Sequence, residues 1–146
     1  MTTVIITDLD GSLLSHSNFS FKQIHNDILE LLNSGIHIVP ASSKTKIEMN
    51  EFCSELGQDL PFVYENGAGF HNIKSLSLDS KLPNTLVSEN AIRVDKLWHV
   101  WDEKVPNEIK KQCVFAHKLD IKQQMNLFGL KGQMLQNALT REFSFC

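Results

Sequence analysis

Val4, Ile5 and Ile6 form an unbroken apolar run, the pattern of a short strand buried in a parallel sheet, and residues 4–7 predict that strand. The spacing then becomes helical. Phe21, Ile24, Ile28, Leu31 and Leu32 share one face. Ser20 and Gln23 read as a capping box, Phe19 and Ile24 as its hydrophobic staple, and Gly35 as the stop. Residues 36–41 predict a second strand. A second capping box, Thr45 with Glu48, opens a helix in which Met49, Phe52, Cys53 and Leu56 recur at i, i+3, i+4 and i+7 before Gly57. Residues 62–64 predict a third strand. Alternation of strands and helices with short connections predicts a parallel sheet with right-handed crossovers.

Past Gly67 the texture changes. Residues 67–80 alternate loosely and predict a hairpin or extended arm, and the loop around Pro83 marks a boundary. Beyond it, "AIRV" (91–94) reads as a strand, 120–128 and 131–139 as helices split at Gly129, and "TREFSFC" (140–146) as a closing strand.

The chain has 146 residues, enough for a domain with a real core, and 42% of them are hydrophobic, as in globular proteins. Its 14 basic and 17 acidic residues give a net charge of −3, with no basic surplus for a nucleic-acid groove. Lys110 and Lys111, the nearest thing to a basic cluster, read as a solvated face. Cys53, Cys113 and Cys146 are three in number and form no C-x-x-C pair, so neither a disulfide framework nor a zinc ribbon is expected. A reducing, cytoplasmic setting fits that usage. The N-terminus lacks a secretory pattern, and the apolar runs are too short to span a membrane. The six histidines are scattered, without a metal-binding spacing.

Chemistry concentrates in "VIITDLDGSLL". Asp8 and Asp10 lie two apart in an extended segment, so their side chains share one side. Two adjacent carboxylates stay ionised only when a cation compensates them, and an all-oxygen donor set suits Mg²⁺ with substrate phosphate and water. Gly11 allows a sharp turn and a close backbone approach. A calcium loop of the D-x-D kind is excluded, since that register puts Leu13 at its glycine position and Phe19 at its glutamate position. Ser42, Ser43 and Lys44 lie between the second strand and its helix. Thr45 explains the cap, which leaves those three free to bind phosphate at the helix N-terminus. Glu65, Asn66 and Gly67 follow the third strand, where open α/β folds bind ligands, although a turn built on Asn-Gly would also explain two of them.

"DLDGSLL" after an apolar strand resembles the first motif of the haloacid dehalogenase superfamily of phosphohydrolases. "SSKT", "ENG" and "REFS" in that order resemble its mannosyl-3-phosphoglycerate phosphatase branch. The resemblance implies an α/β fold: a Rossmann-like parallel core over residues 1–83, then the beginning of an α+β cap over residues 84–146. It implies Asp8 as nucleophile, Asp10 as general acid/base, and both as Mg²⁺ ligands. It also implies Ser42, Ser43 and Lys44 as phosphate-binding, and Glu65, Asn66, Gly67 and Arg141 as substrate-binding residues. The substrate would be a small phosphorylated sugar or glycerate. Arg141 could instead form a surface salt bridge, and Trp98 and Trp101 are expected to pack in the cap rather than stack on a sugar.

The family also uses a lysine and a later acidic motif, normally beyond the cap, and the chain stops at Cys146 without them. The expectation is therefore the first part of a longer protein: a truncated product, a fragment, or one half of a two-chain assembly. By itself it would be a weak phosphatase with the strand at 4–7 as an exposed edge, prone to self-association or to pairing with a complementing chain. The alternative is a non-catalytic remnant that binds a phosphate ligand or a partner.

Overall fold

In a computed structural model, residues 3–15, 19–76 and 81–145 are described. They divide into two units, 1–89 and 90–146. In the first, β1 (Val4–Thr7) and β2 (His37–Pro40) pair in parallel, from Val4 opposite His37 to Thr7 opposite Pro40. The crossover between them carries α1 (His25–Asn33). After β2 comes α2 (Lys46–Leu56), then β3 (Phe62–Tyr64), which touches the end of β2 through one parallel bridge, Ala41 to Val63. β3 continues as an antiparallel meander with β4 (Gly69–His71) and β5 (Thr85–Val87).

α2 follows its sequence signals closely. Thr45 Oγ1 accepts from the Glu48 amide (3.2 Å), Glu48 Oε2 accepts from the Thr45 amide (2.8 Å), and Gly57 closes the helix at φ 72°. Met49, Phe52, Cys53 and Leu56 are all buried. Each such burial is worth about 1.5–3 kcal/mol, which anchors the helix far more firmly than its caps do. Phe62 and Leu9 complete this core. Burial also pushes the Cys53 thiol above its ordinary range, against a backbone hydrogen bond that lowers it.

β1 differs from the buried strand its composition suggests. Val4, Ile5 and Ile6 are 46%, 36% and 72% exposed, because among the described residues β1 pairs only with β2.

The first helix starts later than expected. Residues 21–24 form a turn closed by the Ile24 amide on the Phe21 carbonyl (3.0 Å), and α1 begins at His25 with no side-chain cap. Ser20 Oγ instead accepts from Lys22 N (3.2 Å). Phe19 is half exposed at φ 51°, so it makes no staple. Of the expected apolar face, Phe21 and Ile28 are buried. Gly35 does end the helix, at φ 77°.

Of the stretch expected to form a hairpin or extended arm, residues 69–71 form β4, but its antiparallel partner β5 falls at 85–87, in the segment expected to be loop, and residues 77–80 lie outside the described residues. Because β5 pairs with β4, the first unit runs past Pro83 to Glu89. Gly69 is required in β4, since a Cβ there would sit 2.2 Å from the Tyr64 ring.

The second unit holds α3 (Val94–Lys104), α4 (Asn107–Lys110), α5 (Ile121–Phe128) and α6 (Gly132–Leu139). Two expected strands are absent from its described residues. Residues 91–93 are irregular and Val94 already begins α3. Residues 141–145 form no strand, although the Val94 amide donates to the Glu142 carbonyl at 2.7 Å. The strand component of an α+β cap is thus not formed among these residues. The two helices split at Gly129 appear as expected, and Asp120 with Gln123 adds a capping box the sequence reading overlooked. Trp98 packs against Phe115, His117 and Phe145 with centroids 4.2–4.8 Å apart, and Trp101 lies 4.9 Å from Phe115, so both tryptophans serve as packing. No helix among the described residues is long and apolar enough to cross a membrane.

Candidate active site

Leu9 fixes the geometry of the two aspartates. Its side chain is wholly buried in the turn that follows β1 and anchors the segment between them. Asp8 is exposed, and its Oδ1 accepts from the Leu9 amide at 2.8 Å. The chain then turns tightly. Ser12 N (3.2 Å) and Leu14 N (2.7 Å) both donate to the Leu9 carbonyl, and Gly11 N donates to Leu14 O (2.8 Å). Gly11 sits at φ 77°, the left-handed region that such a turn demands.

The loop after β2 is folded by its own first residue. Ser42 N donates to Val63 O (3.1 Å), and Ser42 Oγ accepts from Lys44 N (3.2 Å), which leaves Ser42 nearly buried and Ser43 exposed. Lys44 reaches across to Asp10, with Nζ 3.1 Å from Oδ2. The other oxygen, Asp10 Oδ1, is buried and has no hydrogen-bond partner among the described residues.

Glu65, Asn66 and Gly67 form a 3₁₀ turn with φ of 46°, 58° and 91°. Two non-glycine residues in the left-handed region cost on the order of 1–3 kcal/mol each. The turn is held against the Ser42–Lys44 loop by Glu65 N to Lys44 O (2.9 Å) and Asn66 N to Ser42 O (3.1 Å).

These segments enclose an open cleft of ≈ 290 Å³ lined by Asp8, Ala41, Ser42, Ser43, Val63, Asn66 and Gly67. Five of the expected site residues therefore meet in one place. Asp10 and Lys44 pair with one another but do not line the cleft. Glu65 does not line the cleft: its side chain is 3% exposed. Arg141 lies in the second unit and lines a separate pocket of ≈ 200 Å³ with Trp98, His117 and Ser144, where Nη1 donates to Ser144 Oγ (3.1 Å). Phe19 was not foreseen here. Its ring lies 5.6 Å from Lys44 Nζ, and its apolar character signalled a helix staple instead.

The donors near Asp8 and Asp10 are oxygens, and one of them is a buried carboxylate oxygen without a protein donor, which suits a hard divalent cation. Among the described residues there is no group of three or more His, Cys, Asp or Glu that could hold a metal, so water or substrate would have to complete the coordination.

An open α/β sheet with paired carboxylates at one strand end and a hydroxyl-rich loop at the next defines a class of phosphate-handling α/β proteins. Residues 5–96 match the model of the haloacid dehalogenase-like hydrolases, and the chain belongs to that family. The glucosyl-3-phosphoglycerate/mannosyl-3-phosphoglycerate phosphatase of Persephonella marina is 46% identical over 65 residues, 44% of this chain and 24% of the relative. The mannosyl-3-phosphoglycerate phosphatase of Pyrococcus horikoshii is 30% identical over 99% of this chain and 59% of its own length. A crystal structure from Thermotoga maritima superposes with a TM-score of 0.59 at 16% identity, covering 97% of this chain and 54% of that one, a likeness of fold. The chain spans less than two thirds of the curated relatives it matches.

Proposed function

We propose that this chain carries the phosphoryl-transfer site of a phosphomonoester hydrolase. The observation that carries the reading is the cleft that joins Asp8 to Ser42, Ser43, Asn66 and Gly67. A phosphate seated there would take hydrogen bonds from the Ser42–Ser43 loop, with its phosphorus facing Asp8. The Asp8 carboxylate attacks phosphorus, the ester P–O bond breaks, and its electron pair leaves on the alkoxide oxygen. The carboxylic acid of Asp10 gives that oxygen a proton. In the second half, Asp10 as carboxylate takes a proton from water, the resulting hydroxide attacks phosphorus, and the aspartyl P–O bond breaks to restore Asp8 and release phosphate. Mg²⁺, held by Asp8 and Asp10, would offset the charge of carboxylates and phosphate when bound.

The similarity to the Persephonella and Pyrococcus phosphatases supports a glycosyl-3-phosphoglycerate as substrate, with Arg141 as a candidate contact for its carboxylate. One observation favours a second reading, phosphate binding without turnover: the described residues hold no three-ligand metal group.

The test is phosphate release from mannosyl-3-phosphoglycerate and from mannose phosphate with Mg²⁺, together with acid-quenched mass spectrometry of the peptide containing Asp8. A phosphorylated Asp8 and higher kcat/KM on the glycerate substrate are expected, and Asp8→Asn should reduce turnover to background. Unaltered turnover in Asp8→Asn would remove the assignment. Phosphate binding with neither turnover nor phospho-Asp8 would establish the second reading.

A further inference from the structure

We infer that the apolar shelf of Phe70, Leu86 and Val87 beside the Asp8 cleft seats the sugar ring of the substrate, with Glu89 at its rim, and so sets the preference for a glycosylated phosphomonoester. The inference rests on the phosphoryl-transfer reading above and adds to it the place of the leaving group.

The shelf follows from strand register. Val63 stands opposite Phe70, and Phe70 opposite Leu86, so the three side chains share one face of the meander. Phe62 and Tyr64 alternate to the other face and are buried. The Val63–Phe70–Leu86 face is open: Phe70 is half-buried, and Leu86 is 42% exposed. Val87, at the end of β5, is 50% exposed and lines the same hollow, which measures ≈ 390 Å³, the scale of a small-ligand site. Val63 and Gly67 line both this hollow and the cleft that holds Asp8, so the two adjoin. Ser88 N donates to Ala68 O at 2.9 Å, which ties the end of β5 to the residue that follows the Glu65–Gly67 turn.

The chemistry of the lining selects the occupant. A pyranose ring carries C–H groups on its faces and hydroxyls around its edge. The floor of the hollow is apolar, and exposed Ser88 and Glu89 border it, a carboxylate being a good acceptor for sugar hydroxyls. Among its described lining residues Glu89 alone is charged, so the hollow disfavours a carboxylate or a phosphate and suits a neutral polyol. A 3-phosphoglycerate unit has one further hydroxyl, on the carbon next to the phosphorylated one. A sugar attached there begins beside the phosphate, as the adjoining hollows require.

The test is calorimetric titration of the 146-residue chain with mannosyl-3-phosphoglycerate and with 3-phosphoglycerate in MgCl₂, under Asp8→Asn so that ligand is not consumed. Both ligands carry a phosphate and a carboxylate, so the difference reports the sugar. The chain should bind the glycosylated ligand about tenfold more tightly. Phe70→Ala and Leu86→Ser should each shrink that preference to about threefold or less, with 3-phosphoglycerate affinity within about twofold of the parent. Glu89→Ala should lower the preference about threefold through lost hydroxyl contacts. Leu86→Ser, at an exposed position, decides should Phe70→Ala fold poorly. Equal affinity of the parent for both ligands, or a parent-sized preference in folded Leu86→Ser, would overturn the inference alone. An unmoved preference with less self-association of Leu86→Ser by light scattering would overturn it in favour of a second copy of the chain on this face. Binding of neither ligand, with Asp8 intact as well as substituted, would overturn the phosphoryl-transfer reading and this inference with it.

Discussion

His71 shows how one side chain can couple the first unit's stability to pH. Its Nδ1 lies 2.6 Å from Thr85 Oγ1, and Lys46 Nζ reaches the same hydroxyl at 3.5 Å. Burial, and then the positive charge of Lys46, hold the imidazole below its ordinary value, with Asp59 opposing. A histidine depressed in the fold takes up its proton more readily once unfolded. Its contribution is complete above the ordinary value of about 6.5 and is lost as pH falls through the lower, folded value. Melting temperature should therefore drop as pH falls below about 6.5, and His71→Gln should flatten part of that drop. A His71→Gln melting profile that tracks the parent across this range would show that the fall arises elsewhere. At the same scale, the placement of Asp8, Asp10, Ser42 and Ser43 just past strand ends was legible, because it follows from the local strand and cap signals around them. The Lys44–Asp10 pair was not: the residues lie far apart in sequence, and no local spacing encodes which anion a long side chain chooses.

Elements were legible where their signals are local and redundant. α2 has a reciprocal cap, four periodic apolar residues and a glycine stop, and all three coincide in the structure. Thr45→Ala should cost about 1 kcal/mol through the lost cap, read as a lower denaturant midpoint at unchanged slope. No shift in midpoint would mean that packing alone sets the start of this helix. α1 has the same kind of sequence signals, but its first turn closed as an i→i−3 turn and Phe19 was drawn to Lys44. The tail at 141–145 failed for a different reason. A strand needs a partner, and one of its two aromatic residues, Phe145, found the Trp98 cluster instead. Residues 91–94 look like a strand by composition, yet Val94 is the first residue of a helix whose later positions decide the outcome.

For the first unit as a whole, the dominant exposed feature is β1. Ile6, 72% exposed, stands on a strand that among the described residues has one free edge, and a net charge of −3 provides little repulsion between copies. Light scattering should show mass rising with concentration, and Ile6→Lys should lower it without loss of secondary structure. Equal association in parent and variant would place the contact elsewhere. The same free edge bears on reactivity. Among the described residues, Asp8 extends from a strand laced on one flank, and its carboxylate is aimed by β2 and the Leu9 anchor. A displacement of about 1 Å in a reacting group can cost roughly a hundredfold in rate. Whatever strand zips onto the open flank of β1 would narrow the thermal wander of that carboxylate, making aim a property of the neighbour as much as of the residue.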